Sequence, residues 1–146
     1  MKSFIHKTAV RWADLDPNFH VLHSRYYDYG ATCRMDFFVQ NGLSTALLKE
    51  HNIGPILLKE SCTFRKEIRF GDELTVTLTL TSMTANGSRW SMSHEILKEN
   101  DILAAVIHVD GAWLDLGTRR MAAPPAIVKN IFETAPVSAD FKLLHK

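Results

Sequence analysis

Ten residues ahead of an expected helix, Asp14 to His23, carry two carboxylates and two imidazoles. They lie in the run Val10-Arg-Trp-Ala-Asp-Leu-Asp-Pro-Asn-Phe-His-Val-Leu-His-Ser-Arg-Tyr26. A calcium loop is the first chemistry to test. Asp14, Asp16 and Asn18 follow its D-x-D-x-N pattern, but Phe19 stands where the turn requires Gly and Arg25 where a bidentate Glu must sit. His20 and His23 with Asp14 or Asp16 are donors suited to a transition metal, yet a Pro-containing loop gives no reason for them to converge. His6, His94 and His108 fall within strand patterns as ordinary polar residues. Cys33 lies mid-helix among apolar neighbours and Cys62 in a strand pattern, where a thiol stays protonated and inert. There is no G-x-S-x-G elbow and no glycine-rich phosphate loop. A carboxylate that attacks or activates water, beside an imidazole that donates or accepts near neutral pH, is the remaining chemistry. The competing structural roles are an Asx turn before Pro17 for Asp16 and a backbone-bonded loop imidazole for His23.

The elements that must position these groups can be read from periodicity. Residues 4 to 12 read as a strand, followed by the Asp-, Pro- and Asn-rich loop. Ser24 is a candidate N-cap, and Arg25 to about Asn41 reads as a helix closed by Gly42. Its polar residues Arg25, Asp28, Thr32, Asp36 and Gln40 form one narrow stripe, so the helix must be wrapped by other elements rather than rested on a core. Ser44 caps a second short helix ending near His51. From Ile53 to Asp115 the period becomes two. Leu74, Val76, Leu78 and Leu80 alternate with threonines, and Trp90, Met92, His94 and Ile96 share a face. Gly71-Asp72, Asn86-Gly87 and Asn100-Asp101 punctuate an antiparallel meander. Ile102 to Val109 is apolar on both faces, which calls for a cover such as a partner subunit. Residues Ala126 to Glu133 read as a short helix, with a fraying tail after it.

The chain has 146 residues, 46% hydrophobic and 23% charged, in line with one globular domain over 1–146. Lys and Arg total 17 against 16 Asp and Glu, which gives no electrostatic footprint for nucleic acid. No apolar run reaches the length of a membrane span, and the first residues lack a signal-peptide pattern. Two cysteines suit a reduced compartment, so the expectation is a cytoplasmic protein. One long wrapped helix plus an antiparallel curled sheet of about five strands makes an α+β chain, and the hot-dog fold is the plan that fits.

The ordered set Val10-Arg11-Trp12, Asp14, Asp16, His20-Val21, His23 and Tyr26 resembles the motif of the 4-hydroxybenzoyl-CoA thioesterase-like hot-dog acyl-CoA thioesterases. Phe70-Gly71-Asp72-Glu73-Leu74 resembles that family's G-D-x-L turn, and Trp113 to Pro124 its last strand and following turn. The resemblance runs over about residues 4 to 133. It implies hydrolysis of an acyl thioester of CoA, or of acyl carrier protein, with no metal or dissociable cofactor. Asp16 matches the catalytic carboxylate, as nucleophile or as general base. His23 matches a His of one branch, able to orient Asp16 or the thioester, and Asp14 a structural Asp. Backbone amides of Ser24, Arg25 and Tyr26 at the helix's positive end would polarise the carbonyl. Tyr26 and Tyr27 would wall the acyl pocket. Arg65, Lys66 and Arg69, with Ser88 and Arg89 of the turn, would meet the CoA phosphates. The resemblance also implies a homodimer or homotetramer with its site at the subunit interface. The sequence departs from the pattern at Ala31, where a helical Glu is frequent, at Leu22, where Asn is common, and at the Asn86-Gly87-Ser88-Arg89 turn, where the basic residue is displaced. These departures keep two other functions open: a non-catalytic hot-dog protein binding acyl-CoA or an acyl carrier, and a hot-dog dehydratase or hydratase. Against the latter, the helix carries no His.

Overall fold

The computed structural model describes residues 3–145. Its first strand, β1, is Ile5–Ala9, shorter than the periodicity predicts because the chain turns at Trp12–Asp14 into a tight helical turn. Helix α1 is Tyr26–Gln40 and α2 is Thr45–Glu50. Strands β2 (Ile53–Phe64), β3 (Glu73–Thr77), β4 (Thr79–Thr84), β5 (Arg89–Lys98) and β6 (Ile102–Asp115) follow. A two-residue strand β7 (Arg120–Met121), helix α3 (Ala126–Phe132) and strand β8 (Val137–Leu144) complete the described chain.

The sheet runs β2-β6-β5-β3-β1, every pair antiparallel. The Leu/Thr alternation is one strand in sequence and two in space. It breaks at Leu78, so β3 pairs with the C-terminal half of β5 and β4 with its N-terminal half. Leu74, Val76, Leu78 and Leu80 nevertheless all stay buried, because the period of two survives the bend. This bend curls the sheet around α1. The tail does not fray: β8 lies parallel to β4 and extends the sheet by one strand.

Helix α1 buries Tyr26, Tyr29, Gly30, Cys33, Phe37 and Phe38 against the inner face of the sheet. Gly30 permits the close approach; a Cβ there would lie 3.1 Å from the His94 ring and 3.4 Å from Ile107. Ser44 caps α2 as expected, its hydroxyl accepting from the Leu47 amide at 3.1 Å. Ser24 does not cap α1. It sits inside a helical turn, His23–Arg25, that runs directly into α1, and the residue before the helix, Arg25, makes no side-chain cap.

Ala105, Ile107, Val109 and Trp113 of β6 are buried inward; on the opposite face Ala104 is buried and Val106 half-buried, and the polar residues begin at exposed His108. Uncovered apolar residues include Ile102 at the start of β6, Met35 and Val39 on α1, and Leu57, Leu58 and Phe64 on β2. Among the described residues strand β2 pairs only with β6, which leaves its other edge open.

Candidate active site

The loop between β1 and α1 is a folded unit. Asp16 forms its turn: its amide donates to the His20 carbonyl at 2.8 Å, and its carbonyl accepts from the Phe19 amide at 3.0 Å. Phe19 takes the left-handed backbone region (φ 64°) to close it. Leu15 bridges to Val21, His20 to Arg69, and the Val21 amide donates to the Ile68 carbonyl at 2.8 Å, so residues 65–72 brace the loop from the side.

The two aspartates have different surroundings. Asp14 is 2% exposed and accepts from the Arg11 guanidinium at 2.7 and 3.2 Å, from the Arg11 amide at 3.3 Å and from the Tyr29 hydroxyl at 3.1 Å. Hydrogen bonding from Arg11 holds its carboxyl below the usual carboxylate range. All its contacts are structural. Asp16 is half-buried, and among the described residues only Oδ1 is engaged, accepting from the amides of Asn18 at 2.8 Å and His20 at 3.1 Å. The Asx turn is therefore real, and it orients the carboxylate without using its second oxygen.

Asp16, His23, Tyr26 and Arg65 line one open cavity of about 320 Å³, with Phe64 and Lys66 as further walls. The Tyr26 ring meets Phe64 edge-on at 4.8 Å, and burial raises the Tyr26 hydroxyl above its ordinary pKa. His20, on the same wall, pairs with Glu67 at 3.3 Å. Glu67 also takes a 3.0 Å contact from Arg69, whose hydrogen bond depresses the Glu67 carboxyl. Of the helix-start amides, that of Arg25 donates to the Leu22 carbonyl at 2.8 Å and is committed there.

The remaining expected residues fall outside this cavity. Tyr27 is half-buried on α1 and packs against the core. Ser88 and Arg89 occupy the β4–β5 turn, bonded to Asn86 and Thr84. Cys33 is fully buried, its thiol pushed up to about 12 by desolvation, and Cys62 up to about 11. No group of three His, Cys, Asp or Glu side chains among the described residues is arranged to hold a metal ion.

Sequence reasoning missed a buried polar link. Arg34 on α1, 6% exposed, bonds through Nη1 to His94 Nε2 at 3.0 Å, and His94 Nδ1 donates to the Thr77 carbonyl at 2.9 Å. Burial lowers His94 to about 4, so the imidazole is neutral and presents Nε2 as an acceptor. The signal was available: Arg34 lies off the polar stripe of α1, a charge on the face that must be buried.

The model of the Thioesterase-like superfamily matches residues 10–139. No curated protein matches the sequence. Among solved structures, a hypothetical protein from Staphylococcus aureus in complex with CoA is 24% identical with a TM-score of 0.86, over 92% of this chain and 84% of that one. A 1,4-dihydroxy-2-naphthoyl-CoA thioesterase from Synechocystis is 23% identical with a TM-score of 0.78, over 94% of this chain and 98% of that one. The probable thioesterase YbaW from Escherichia coli is 24% identical with a TM-score of 0.77, over 90% and 98%. The shared architecture is the expected hot-dog fold: a curled antiparallel sheet around a central helix.

Proposed function

The chain belongs to the thioesterase-like superfamily of hot-dog proteins, and from that premise we propose that it is an acyl-CoA thioesterase. The observation that carries the reading is the convergence of Asp16, His23 and the start of α1 on one cavity. In this reading the Asp16 oxygen left free by the Asx turn acts in one of two ways. As a nucleophile it attacks the thioester carbonyl, expels the CoA thiolate and leaves an acyl-aspartyl anhydride that water hydrolyses. As a general base it takes a proton from water while the resulting hydroxide attacks, and that proton goes on to the leaving thiolate. Either route passes through an oxyanion. The amides of Ser24 and Tyr26 at the positive end of α1 stabilise it, while the Arg25 amide, bonded to Leu22, holds the turn. His23 orients Asp16 or the thioester.

Arg65 and Lys66, exposed on the cavity wall, are suited to the CoA phosphates, and the CoA-bound Staphylococcus aureus relative supports that donor. Arg69, three residues beyond Lys66, is outside the cavity lining and pairs with Glu67 at 3.0 Å. Ser88 and Arg89, remote from the cavity, reach a site only if it is built across two subunits. The open edge of β2 and the uncovered residues of α1 support a homodimer with the site at its interface.

A second reading is favoured by one observation. Ala31 leaves the middle of α1 without an acid, which suits a protein that binds acyl thioesters and does not cleave them. Free-thiol release from short, long and aromatic acyl-CoAs, with EDTA present, separates the two. Turnover by the wild type, lowered by a factor on the order of 10² or more in Asp16→Asn, is the expected result. Turnover that survives the substitution moves the chemistry away from Asp16. Saturable acyl-CoA binding without thiol release establishes the binding protein instead.

A further inference from the structure

A second cavity, about 180 Å³, lies between α1 and the open edge strand. It is walled by Met35, Phe38, Pro55 and Leu57 and bordered by Arg34 and Trp90. It lies on the same side of α1, against β2, as the candidate active site, with no wall residue in common. Tyr26 meets Phe64 at the start of α1, Arg34 stands opposite Glu60 further along, and Phe38 and Leu57 flank the far end. Tyr26 and Arg34 are eight helical positions apart, about 12 Å along the axis.

The polar groups here are short of acceptors. The Arg34 guanidinium, though buried, finds one neutral acceptor at hydrogen-bond distance, His94 Nε2. Glu60 Oε2 lies 3.9 Å from Arg34 Nη2, beyond a hydrogen bond, and its side chain is 24% exposed. Trp90 is 3% exposed, and its buried indole nitrogen has no acceptor among the described residues. A buried donor without an acceptor forfeits its bond to water; Arg25 Nε, Trp113 Nε1 and Ser138 Oγ share that condition among the described residues, and Trp90 is the one of the four that borders this cavity. The occupant that matches is an apolar body, to fit the Met35, Phe38 and Leu57 walls, with an oxygen at its far end.

We propose, resting on the acyl-CoA reading, that this cavity receives the distal end of the acyl group and selects acyl groups ending in an oxygen acceptor, a carboxylate or a hydroxyl. Arg34 and Trp90 are the donors that recognise it. A carboxylate matches the planar fork of the guanidinium, and the partial exposure of Glu60 lets that side chain turn to solvent when the acceptor arrives. A hydroxyl accepts from Arg34 or Trp90 and donates to Glu60.

The test is kcat/KM on six-, eight-, ten- and twelve-carbon acyl-CoAs, each in methyl-ended, hydroxyl-ended and carboxyl-ended form, for wild type, Arg34→Met and Trp90→Phe. At the length that reaches the cavity, an oxygen-ended substrate is expected to exceed its methyl-ended counterpart by at least roughly tenfold. Each substitution is expected to bring that ratio toward one. A loss of folded protein lowers both substrates together and leaves the ratio unmoved, which separates recognition from a purely structural role. The hydroxyl and carboxyl arms name the preferred oxygen. A wild-type enzyme that turns over methyl-ended chains equally well or better at every length overturns the inference alone, as does a preference that both variants retain. Absence of turnover on every substrate overturns the thioesterase reading and this inference with it.

Discussion

Asp14 and Asp16 stand two positions apart and obey different physics. Asp14 is a buried anion whose oxygens are taken by Arg11 and Tyr29, so removing its charge leaves those donors short of an acceptor. Asp14→Asn is expected to lower the free energy of unfolding by about 1–3 kcal/mol, read from urea denaturation at neutral pH. Because the folded Asp14 carboxyl titrates below its ordinary value of 3.8, its contribution is present above that value and is lost as pH falls through the folded one. The acid limb of the wild-type stability curve should accordingly be steeper than that of Asp14→Asn; parallel limbs would show that Arg11 and Tyr29 do not hold the anion. Asp16 keeps an oxygen free, and a change there should register in catalysis rather than in stability.

At the scale of elements, one imidazole ties the helix to the sheet. His94 on β5 accepts from Arg34 on α1 and donates to Thr77 on β3, inside a fully buried setting. The unfolded chain protonates this His near 6.5, whereas the folded protein holds it neutral down to about 4. Between those values the unfolded state binds the extra proton, so stability falls as pH drops from about 6.5 to about 4, by a few kcal/mol in all. His94→Gln keeps an acceptor for Arg34 and removes the titration. Denaturation midpoints across that window should flatten in the variant, and an unchanged slope would place the titration elsewhere. Trp90 and Gly111 make the neighbouring contact between β5 and β6. They are register partners, and a Cβ on Gly111 would overlap the indole ring, so the glycine lets the ring lie flat on the strand beside the second cavity.

For the whole molecule, the decisive feature is what one chain leaves uncovered. Leu57, Leu58 and Phe64 on an unpaired strand edge, with Met35 and Val39 on the adjacent helix, form an apolar strip that a second copy would cover. Sedimentation equilibrium should find a dimer or a multiple of it. Leu58→Lys, which places a charge on that strip away from both cavities, should shift the mass toward the monomer and lower thiol release with it. A monomeric wild type, or a monomeric variant that keeps full activity, would remove the subunit interface from the site. No described helix is long and apolar enough to cross a membrane.

Local pattern was enough for the helices, for most strands and for their inward faces, because the periods of two and of about 3.6 follow from backbone geometry alone; it was not enough for β8, which reads as a loose tail, or for the division of the Leu/Thr run into β3 and β4. It also marked Asp14, Asp16 and His23, since residue types packed ahead of a helix are a local signal. Only the tertiary structure decided what depends on long-range contact. The break at Leu78 that curls the sheet, the parallel docking of β8 and the uncovered strip on β2 follow from which strands meet, which no local pattern encodes. The resemblance already set the two aspartates apart; the structure adds the contacts, Arg11 three positions back and Tyr29 fifteen positions on for Asp14, and a local Asx turn for Asp16. Arg34 and His94 are sixty positions apart, each ordinary within its own element. Their meeting creates the buried donor that no window of sequence contains.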